Sequence, residues 1–195
     1  MDVNVLLFSD FETLDTFGAV EILGRVEEYR LRYFSINGGI ILSRQGTRII
    51  PEQLKDVDCS GILLVPDGQG TRNLVNDSIF IEKLTRIVAQ SQYCLTVCTG
   101  SALVAKTNLL NHRKATSNKR EGFCEWVKSV NSNVQWQNCA RWVVDDKFYT
   151  SSGISAGIDM ALGFVADRIG MEKAIEITQS IEYVWNSDKN NDLFA

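Results

Sequence analysis

The stretch that decides the fold is residues 93–101, YCLTVCTGS. An apolar run ends in Cys98, and small residues follow at once before Leu103 and Val104. Short apolar runs are typical of strands that are buried on both faces, and small residues allow a sharp turn from a strand into a helix. The stretch therefore predicts a strand, a cysteine at its carboxyl end and a helix directly behind it.

Segments with strand-like and helix-like patterns alternate on both sides of this stretch. Further apolar runs predict buried strands, and apolar residues at helical spacing follow most of them. Asp77 is a good N-cap for one of the helices. The predicted elements are strands at 4–9, near 34, 61–65 and as a short pair around Gly46, a helix near 14–22, a helix at 123–130, a hairpin at 140–153 that turns at Asp145-Asp146, and two helices between 154 and 184 that are broken near Gly170.

Alternation of apolar strands with amphipathic helices predicts an α/β fold. We expect a mostly parallel sheet with helices on both faces and a small β-hairpin. The 195 residues suit one domain over 1–195, and no repeat or linker divides them.

Composition and charge exclude several classes of protein. The net charge is −4 and no basic stripe occurs, so nucleic-acid binding is not expected. No apolar run is long enough to span a bilayer, and the amino terminus lacks the features of a signal peptide, so we expect a cytoplasmic protein without a membrane partner. Five cysteines at irregular spacing and a single histidine argue against a disulfide framework and a zinc site.

Three predicted strand ends carry polar or glycine-rich sequence: SDFETLD, PDGQGT and CTGS. In parallel sheets the reactive groups lie beyond the carboxyl ends of the strands, so these segments should meet. A helix amino terminus behind Cys98 favours the thiolate, and we expect iodoacetamide to label Cys98 before the other cysteines. The alternative is that Cys98 is part of the core, as we expect for Cys59, Cys94, Cys124 and Cys139.

A nucleophilic cysteine needs a partner for its proton. The only histidine, His112, lies in a polar turn and is expected to be exposed. Asp10, Glu12 and Asp15 follow the first strand, and a protonated carboxyl beside the sulfur could donate a hydrogen bond to the thiolate and later a proton. For Asp10 a solvated or capping role is favoured. The turn at Gly68 presents backbone N–H groups that suit an oxyanion.

These residues resemble the ThiJ/PfpI superfamily, also called the DJ-one family, over essentially the whole chain. The resemblance rests on LLFSDFETLDTFGAVEIL, ILLVPDGQGT, VCTGSALVAKTNLLNHRKAT and SSGISAGIDMALGFVA. The LD pair in the first of these, CTGS and the late IEY are similar to the isonitrile hydratase-like branch. The same domain, related to class I glutamine amidotransferases, also forms the N-terminal half of some AraC-type regulators. The resemblance implies a flavodoxin-like sandwich.

Carried over residue by residue, the resemblance implies that Cys98 is the nucleophile and Asp15 its acidic partner. Thr99 would contribute a backbone N–H or its hydroxyl, and Gly68 a second backbone donor. Glu12 is the alternative acid. The resemblance also implies a homodimer and a small-molecule substrate, and no metal or organic cofactor is expected.

Three stretches depart from the pattern of the family. The first is LDTFGA, where LDLTGP would be the closer match, so that a proline is lost. Asp67 replaces the first glycine of a Pro-Gly-Gly turn, and Ser117-Asn118-Lys119 replaces Thr-His-Trp. Members that depend on that histidine, such as the protease-like and chaperone-like ones, are therefore poor guides to this chain.

The leading hypothesis is a cysteine-dependent hydratase or hydrolase-like enzyme that hydrates an isonitrile to an N-formamide. The alternative is a ligand- or redox-sensing module related to AraC-type regulators, although a chain ending at Ala195 is not expected to hold a DNA-binding domain as well. A glyoxalase or deglycase is a third option, weakened by the missing histidine. A closed apolar cavity beside Cys98 would favour an isonitrile, and an open polar one would favour dicarbonyls or sensing.

Overall fold

The computed structural model describes residues 1–195. Eleven strands and seven α-helices alternate along the chain, with one short 3₁₀ turn at Leu54–Asp56. The strands are β1 (Asp2–Leu6), β2 (Arg30–Ser35), β3 (Ile41–Leu42), β4 (Arg48–Ile49), β5 (Glu52–Gln53), β6 (Ile62–Val65), β7 (Tyr93–Thr96), β8 (Lys114–Ala115), β9 (Gln135–Trp136), β10 (Trp142–Asp145) and β11 (Phe148–Ser151). The helices are α1 (Thr13–Leu23), α2 (Thr71–Leu74), α3 (Ser78–Gln90), α4 (Gly100–Lys106), α5 (Phe123–Val130), α6 (Ile154–Arg168) and α7 (Met171–Ser180).

The central sheet has seven strands in the order β10-β11-β7-β6-β1-β2-β5. Every neighbouring pair is parallel except β10 and β11, which form an antiparallel hairpin at the edge. Two small two-stranded sheets, β3-β4 and β8-β9, lie outside it. The predicted α/β fold, a mostly parallel sheet with a small hairpin, is confirmed.

The order of the strands explains why helices cover both faces. From β1 the chain moves to β2 on one side, and later it runs from β6 to β7 on the other side. Right-handed crossovers in opposite directions place their helices on opposite faces. Accordingly α1 packs against α6, whereas α3 packs against α4. The direction reverses between β1 and β6, and such a switch point is where sheets of this kind bind ligands.

Local signals of the sequence account for most of the element boundaries. The Asp77 side chain accepts hydrogen bonds from the N–H groups of Ile79 and Phe80, as expected of an N-cap. Gly170, with φ +137°, separates α6 from α7 at the predicted break. The hairpin turn is one residue later than predicted: Asp145 still pairs with Phe148, and Asp146 takes the left-handed conformation at φ 56°.

The longest helix is α6, with 15 residues. A helix needs about 20 predominantly apolar residues to span a bilayer. No helix in this structure meets both the length and the apolarity that crossing a membrane requires.

Candidate active site

A sharp elbow between β7 and α4 presents Cys98. Its backbone is in the left-handed region, at φ 56°, which is unusual for a residue with a side chain. Gly100 makes the turn sterically possible, because a Cβ there would lie 2.4 Å from the carbonyl oxygen of Val65 in the neighbouring strand. The predicted elbow is present, and backbone strain of this kind is concentrated at functional sites.

The three polar strand ends meet, as predicted. Asp15 comes from the first turn of α1, Asp67 from the turn after β6, and Cys98 from the elbow after β7. Their carboxylate oxygens and thiol sulfur lie within 4.8 Å of one another. The exposed fractions are only 1%, 7% and 2%, so two carboxyl groups and a thiol share one buried pocket.

The sulfur of Cys98 has two hydrogen-bond partners. The distance from Sγ to Oδ2 of Asp67 is 3.1 Å, and the distance from Nδ2 of Asn118 to Sγ is 3.0 Å. The orientation of the Asn118 amide group is fixed by its oxygen, because Oδ1 accepts a hydrogen bond of 2.7 Å from the backbone N–H of Arg120. Asn118 therefore donates to the sulfur, and the thiol donates to Asp67.

A polar network fixes the second oxygen of Asp67. Oδ1 accepts hydrogen bonds from the Thr99 hydroxyl and from Nη1 of Arg72, the latter at 2.9 Å. The same Nη1 donates to Oγ1 of Thr99 at 2.7 Å. The Arg72 guanidinium also lies over the rings of Phe123 and Trp126, at 4.6 and 4.3 Å from their centres. Two aromatic residues of α5 thus hold in place the Arg72 guanidinium that pairs with the Asp67 carboxylate.

Asp15 has a different environment. Its Oδ2 accepts a hydrogen bond of 3.2 Å from the backbone N–H of Asp67, while Oδ1 is buried without a partner. Burial, and then the negative charge of Asp67, hold the pKa of Asp15 well above its usual range. A protonated carboxyl beside the sulfur was expected at this position, and the direction of this pKa shift agrees with it.

Cys98 differs from the sequence-based expectation of a thiolate. Burial raises the pKa of the Cys98 thiol well above its ordinary value, and the neighbouring carboxyl groups of Asp15 and Asp67 raise it further. The hydrogen bond from Asn118 acts in the opposite direction but is a smaller effect. The resting group is therefore a thiol, because desolvation and two carboxyl groups outweigh the amino terminus of the short helix α4.

Of the remaining predicted residues, Thr99 and Gly68 lie in the turns that carry Cys98 and Asp67, whereas Glu12 lies in the loop before α1. The Thr99 hydroxyl is committed to Asp67, but the backbone N–H groups of Thr99 and Gly68 donate to no acceptor in the chain. Gly68, at φ +155°, is required by the turn, since a Cβ would lie 2.1 Å from the carbonyl oxygen of Asp10. Glu12 precedes α1 and is partly exposed, bonded to Gln45.

His112 and Asp10 lie away from the sulfur. His112 is exposed in the turn before β8, as expected. The next residue, Arg113, pairs with Asp145 at the hairpin turn, which is the amino-terminal edge of β11 and opposite to the edge that holds Cys98. Asp10 is exposed in the loop after β1, which agrees with the solvated role favoured for it.

The other cysteines correct one expectation. Cys59 and Cys94 are buried as predicted, but Cys124 is half-buried and Cys139 is exposed. The predicted assignment of all four to the core is wrong for Cys139, because it lies in the surface loop before β10.

This exposure changes the expected order of labelling. Iodoacetamide at neutral pH should modify Cys139 first, since Cys98 is 2% exposed and is held as a thiol. Cys94 should be modified last, because complete burial raises its pKa to about 12. Peptide mapping by mass spectrometry of briefly treated protein checks the order. Modification of Cys98 ahead of Cys139 would show that the thiolate is populated in the resting protein.

An open cavity of about 600 Å³ borders the site through Asn118. Leu14, Ile154 and Phe194 are the apolar residues of its wall, and the rest of the wall is polar or glycine, including Arg120. The cavity is open, and most of its exposed wall is apolar although most of its lining residues are polar or glycine. By the criterion set out above, it therefore matches neither the closed apolar cavity expected for an isonitrile nor the open polar one expected for dicarbonyls or sensing.

The cluster of Asp15, Asp67 and Cys98 is compact enough to hold a metal ion. Carboxylates and a thiolate are suitable ligands. Here, however, Asp67 is already bonded to Arg72 and Thr99, and the sulfur is bonded to Asp67 and Asn118. The atoms that would bind a metal are thus already engaged by protein groups.

Sequence reasoning missed three residues of the site. Asp67 was noted only as a departure from a glycine, and Asn118 only as the loss of a histidine. Arg72 was not noted at all, although its place one turn of helix after Pro66-Asp67-Gly68 is the signal that could have identified it. The contacts of Asn118 and Arg72 depend on the loop after β8 and on α5, whose positions the local sequence does not specify.

Comparisons with known proteins agree with this architecture. The profile of the DJ-1/PfpI family matches residues 1–167. The isonitrile hydratase of Pseudomonas putida is 24% identical over 94% of this chain and 78% of its own length. The HTH-type transcriptional regulator GbdR of Pseudomonas aeruginosa is 27% identical over 93% of this chain, which spans half of the regulator's length. A solved ThiJ/PfpI family protein from Pseudomonas syringae superposes with a TM-score of 0.83, at 22% identity over 93% of this chain and 74% of its own.

Proposed function

The chain belongs to the DJ-1/PfpI family, and on that premise we propose that it is a cysteine-dependent enzyme that hydrates an isonitrile to an N-formamide. The observation that carries the proposal is the elbow cysteine with two carboxyl groups within 4.8 Å of its sulfur: Asp67, which is hydrogen-bonded to it, and Asp15, whose pKa is raised. The similarity to an isonitrile hydratase supports the choice of reaction.

The proposed reaction consumes one isonitrile and one water. The Cys98 sulfur bonds to the terminal carbon of the isonitrile, its thiol proton passes to a base of the site, and Asp15 protonates the same carbon, which gives a thioimidate. Water then adds to this carbon, Asp15 recovers a proton from the water, and the nitrogen receives the proton held by the base. Breaking the carbon–sulfur bond forms the formyl group, and the hydroxyl proton returns to the sulfur.

Each proposed role follows from a different environment. Asp15 can donate a proton because burial, and then the charge of Asp67, raise its pKa and so favour the protonated form that a catalytic acid requires. The free backbone N–H groups of Gly68 and Thr99 are the proposed donors for negative charge that develops on the substrate. Asn118 orients the sulfur but cannot act as a base, because an amide has no basic nitrogen. This counts against the glyoxalase or deglycase alternative.

The cavity restricts the substrate. Its lining includes the charged residues Lys119, Arg120 and Arg141, so the proposed isonitrile carries a polar substituent. A small terminal carbon at the sulfur and a polar remainder in the cavity would satisfy both environments.

A direct assay tests this function. We expect methyl isocyanoacetate to be converted to its N-formyl product, and tert-butyl isocyanide to be converted at least tenfold more slowly, since one polar contact contributes about 1.4 kcal/mol of discrimination. Product formation is followed by NMR of the formyl proton, with Cys98→Ser as the control. If neither isonitrile is converted, the hydratase proposal is rejected.

The second candidate function is a sensor of a small molecule or of oxidants. The similarity to the regulator GbdR and the open cavity favour it. A sensor would bind ligand or be oxidised at Cys98 without releasing product. Stoichiometric modification that stops after one equivalent would therefore favour this candidate.

The homodimer and the cytoplasmic location remain predictions. We propose a dimer on the basis of the family alone, and the surfaces of this chain do not identify the interface.

A further inference from the structure

The base that takes the thiol proton can be identified from the contacts of the sulfur. Asn118 is a donor to Sγ, with its orientation fixed by the Arg120 backbone. The S–H bond therefore points toward the other partner, Oδ2 of Asp67, at 3.1 Å. No histidine lies at this edge of the sheet, since His112 is exposed before β8.

The charged groups around the sulfur divide into two kinds. Asp15, from α1, has no cation beside it, and burial favours its neutral form. Asp67, after β6, has the Arg72 guanidinium at 2.9 Å. Two carboxyl groups whose environments differ in this way are suited to opposite roles, one as acid and one as base.

Arg72 has the contacts of a positioning residue. Its guanidinium bonds to Asp67 and Thr99 and lies over the rings of Phe123 and Trp126. These contacts fix Oδ1 of Asp67, which leaves Oδ2 directed at the thiol.

We infer that Asp67 is the proton acceptor of Cys98, in the role that histidine has in other cysteine enzymes. This inference rests on the proposed function for its substrate, but the proton transfer concerns the protein alone. As the sulfur electron pair forms the bond to the electrophilic carbon, the S–H bond breaks and an O–H bond forms on Oδ2. The proton passes to the substrate nitrogen when water adds, and the sulfur recovers one when the product leaves.

The expected behaviour of Asp67→Asn separates this role from a structural one. Loss of the anion at 3.1 Å should favour the thiolate, so iodoacetamide should label Cys98 about tenfold faster at pH 7, which corresponds to a pKa lower by about one unit. Turnover of methyl isocyanoacetate should fall by about 10²-fold or more, because the base is lost. A misfolded variant would also be labelled faster at Cys98, so Cys94 in β7, which is completely buried, serves as the internal control and should stay unlabelled in Asp67→Asn. Faster labelling confined to Cys98, together with slower turnover, is not expected of a variant that is merely misfolded.

The experiment measures labelling rates from pH 5 to 10 in a Cys139→Ser background, with Cys98 followed by peptide mass spectrometry. Asp67→Gly, which introduces the residue common in the family, is the second variant and should also label faster. Asp145→Asn is the matched control, because Asp145 also pairs with an arginine, at 3.2 Å, but at the opposite edge of the sheet.

Two results would overturn the inference. One is a labelling profile against pH that is the same in the wild type and in both Asp67 variants. The other is full turnover by Asp67→Asn. The labelling measurement requires no substrate, so it remains decisive even if no isonitrile is hydrated and the proposed function fails.

Discussion

Asp15→Asn is expected to reduce turnover by about 10²- to 10⁴-fold, the range for loss of a general acid. The asparagine can still accept the hydrogen bond from the Asp67 backbone N–H, but it has no proton to transfer. Iodoacetamide labelling of Cys98 should persist, because the thiol and its contacts with Asp67 and Asn118 remain. Steady-state kinetics and the labelling rate are measured on the same preparation.

The same variant should be more stable than the wild type at neutral pH. Folding raises the pKa of the Asp15 carboxyl. Such a group contributes fully to the free energy of unfolding when the pH is below the pKa that it has in the unfolded chain, and this contribution is lost as the pH rises through its pKa in the folded protein. The neutral amide does not have this dependence. The melting temperature of Asp15→Asn should therefore exceed that of the wild type by a margin that grows between pH 4 and pH 8.

Glu12→Gln is the matched control for Asp15→Asn. Glu12 is partly exposed and lies one residue before α1, so its replacement should change neither turnover nor labelling. Loss of activity in Glu12→Gln, with normal activity in Asp15→Asn, would identify Glu12 as the acid.

Asp159→Ala is expected to have the largest effect on stability. Asp159 is fully buried in α6, and its Oδ2 accepts a hydrogen bond of 2.6 Å from Nε of Arg141, which is 6% exposed. Its Oδ1 accepts hydrogen bonds of 3.1 Å from the Tyr183 hydroxyl and from the Asn186 backbone N–H. Removing the carboxylate leaves the buried guanidinium with Asp192, at the longer distance of 3.6 Å, as its remaining charged partner, and breaking a buried pair of this kind costs about 3–5 kcal/mol.

For a chain of this size that loss corresponds to a melting temperature lower by roughly 10 °C. Thermal unfolding followed by circular dichroism measures it. Glu82→Ala, which removes an exposed pair with Arg86 on the surface of α3, should change the melting temperature very little. An equal effect of the two substitutions would show that the Asp159 cluster does not stabilise the C-terminal segment.

The sequence was sufficient for the fold because its signals are local. Apolar runs identified β1, β6 and β7, and the small residues behind Cys98 identified the elbow. The rule that strand ends meet was enough to bring Asp15 together with Cys98. The IEY motif was noted only as a resemblance, and the structure gives it a physical reason in the bond from Tyr183 to Asp159.

The protonation states of the site could not be predicted in the same way. The helix behind Cys98 indicated a thiolate, but the thiol is favoured by burial and by two carboxyl groups that converge from distant parts of the chain. The exposure of Cys139 likewise depends on a surface loop rather than on the apolar pattern around it. Such properties depend on the sum of long-range contacts, which no short motif encodes.

The central claim is that Cys98 forms a covalent bond with the substrate carbon. Intact-mass and peptide mass spectrometry of the wild-type protein, acid-quenched during turnover of methyl isocyanoacetate, tests it most directly, because Asp15 is present to protonate the substrate carbon and so to complete the adduct. We expect one added isonitrile mass per chain, located on Cys98 and absent from Cys98→Ser. Turnover of the isonitrile by Cys98→Ser at the wild-type rate, with no adduct at residue 98 in either protein, would contradict the account.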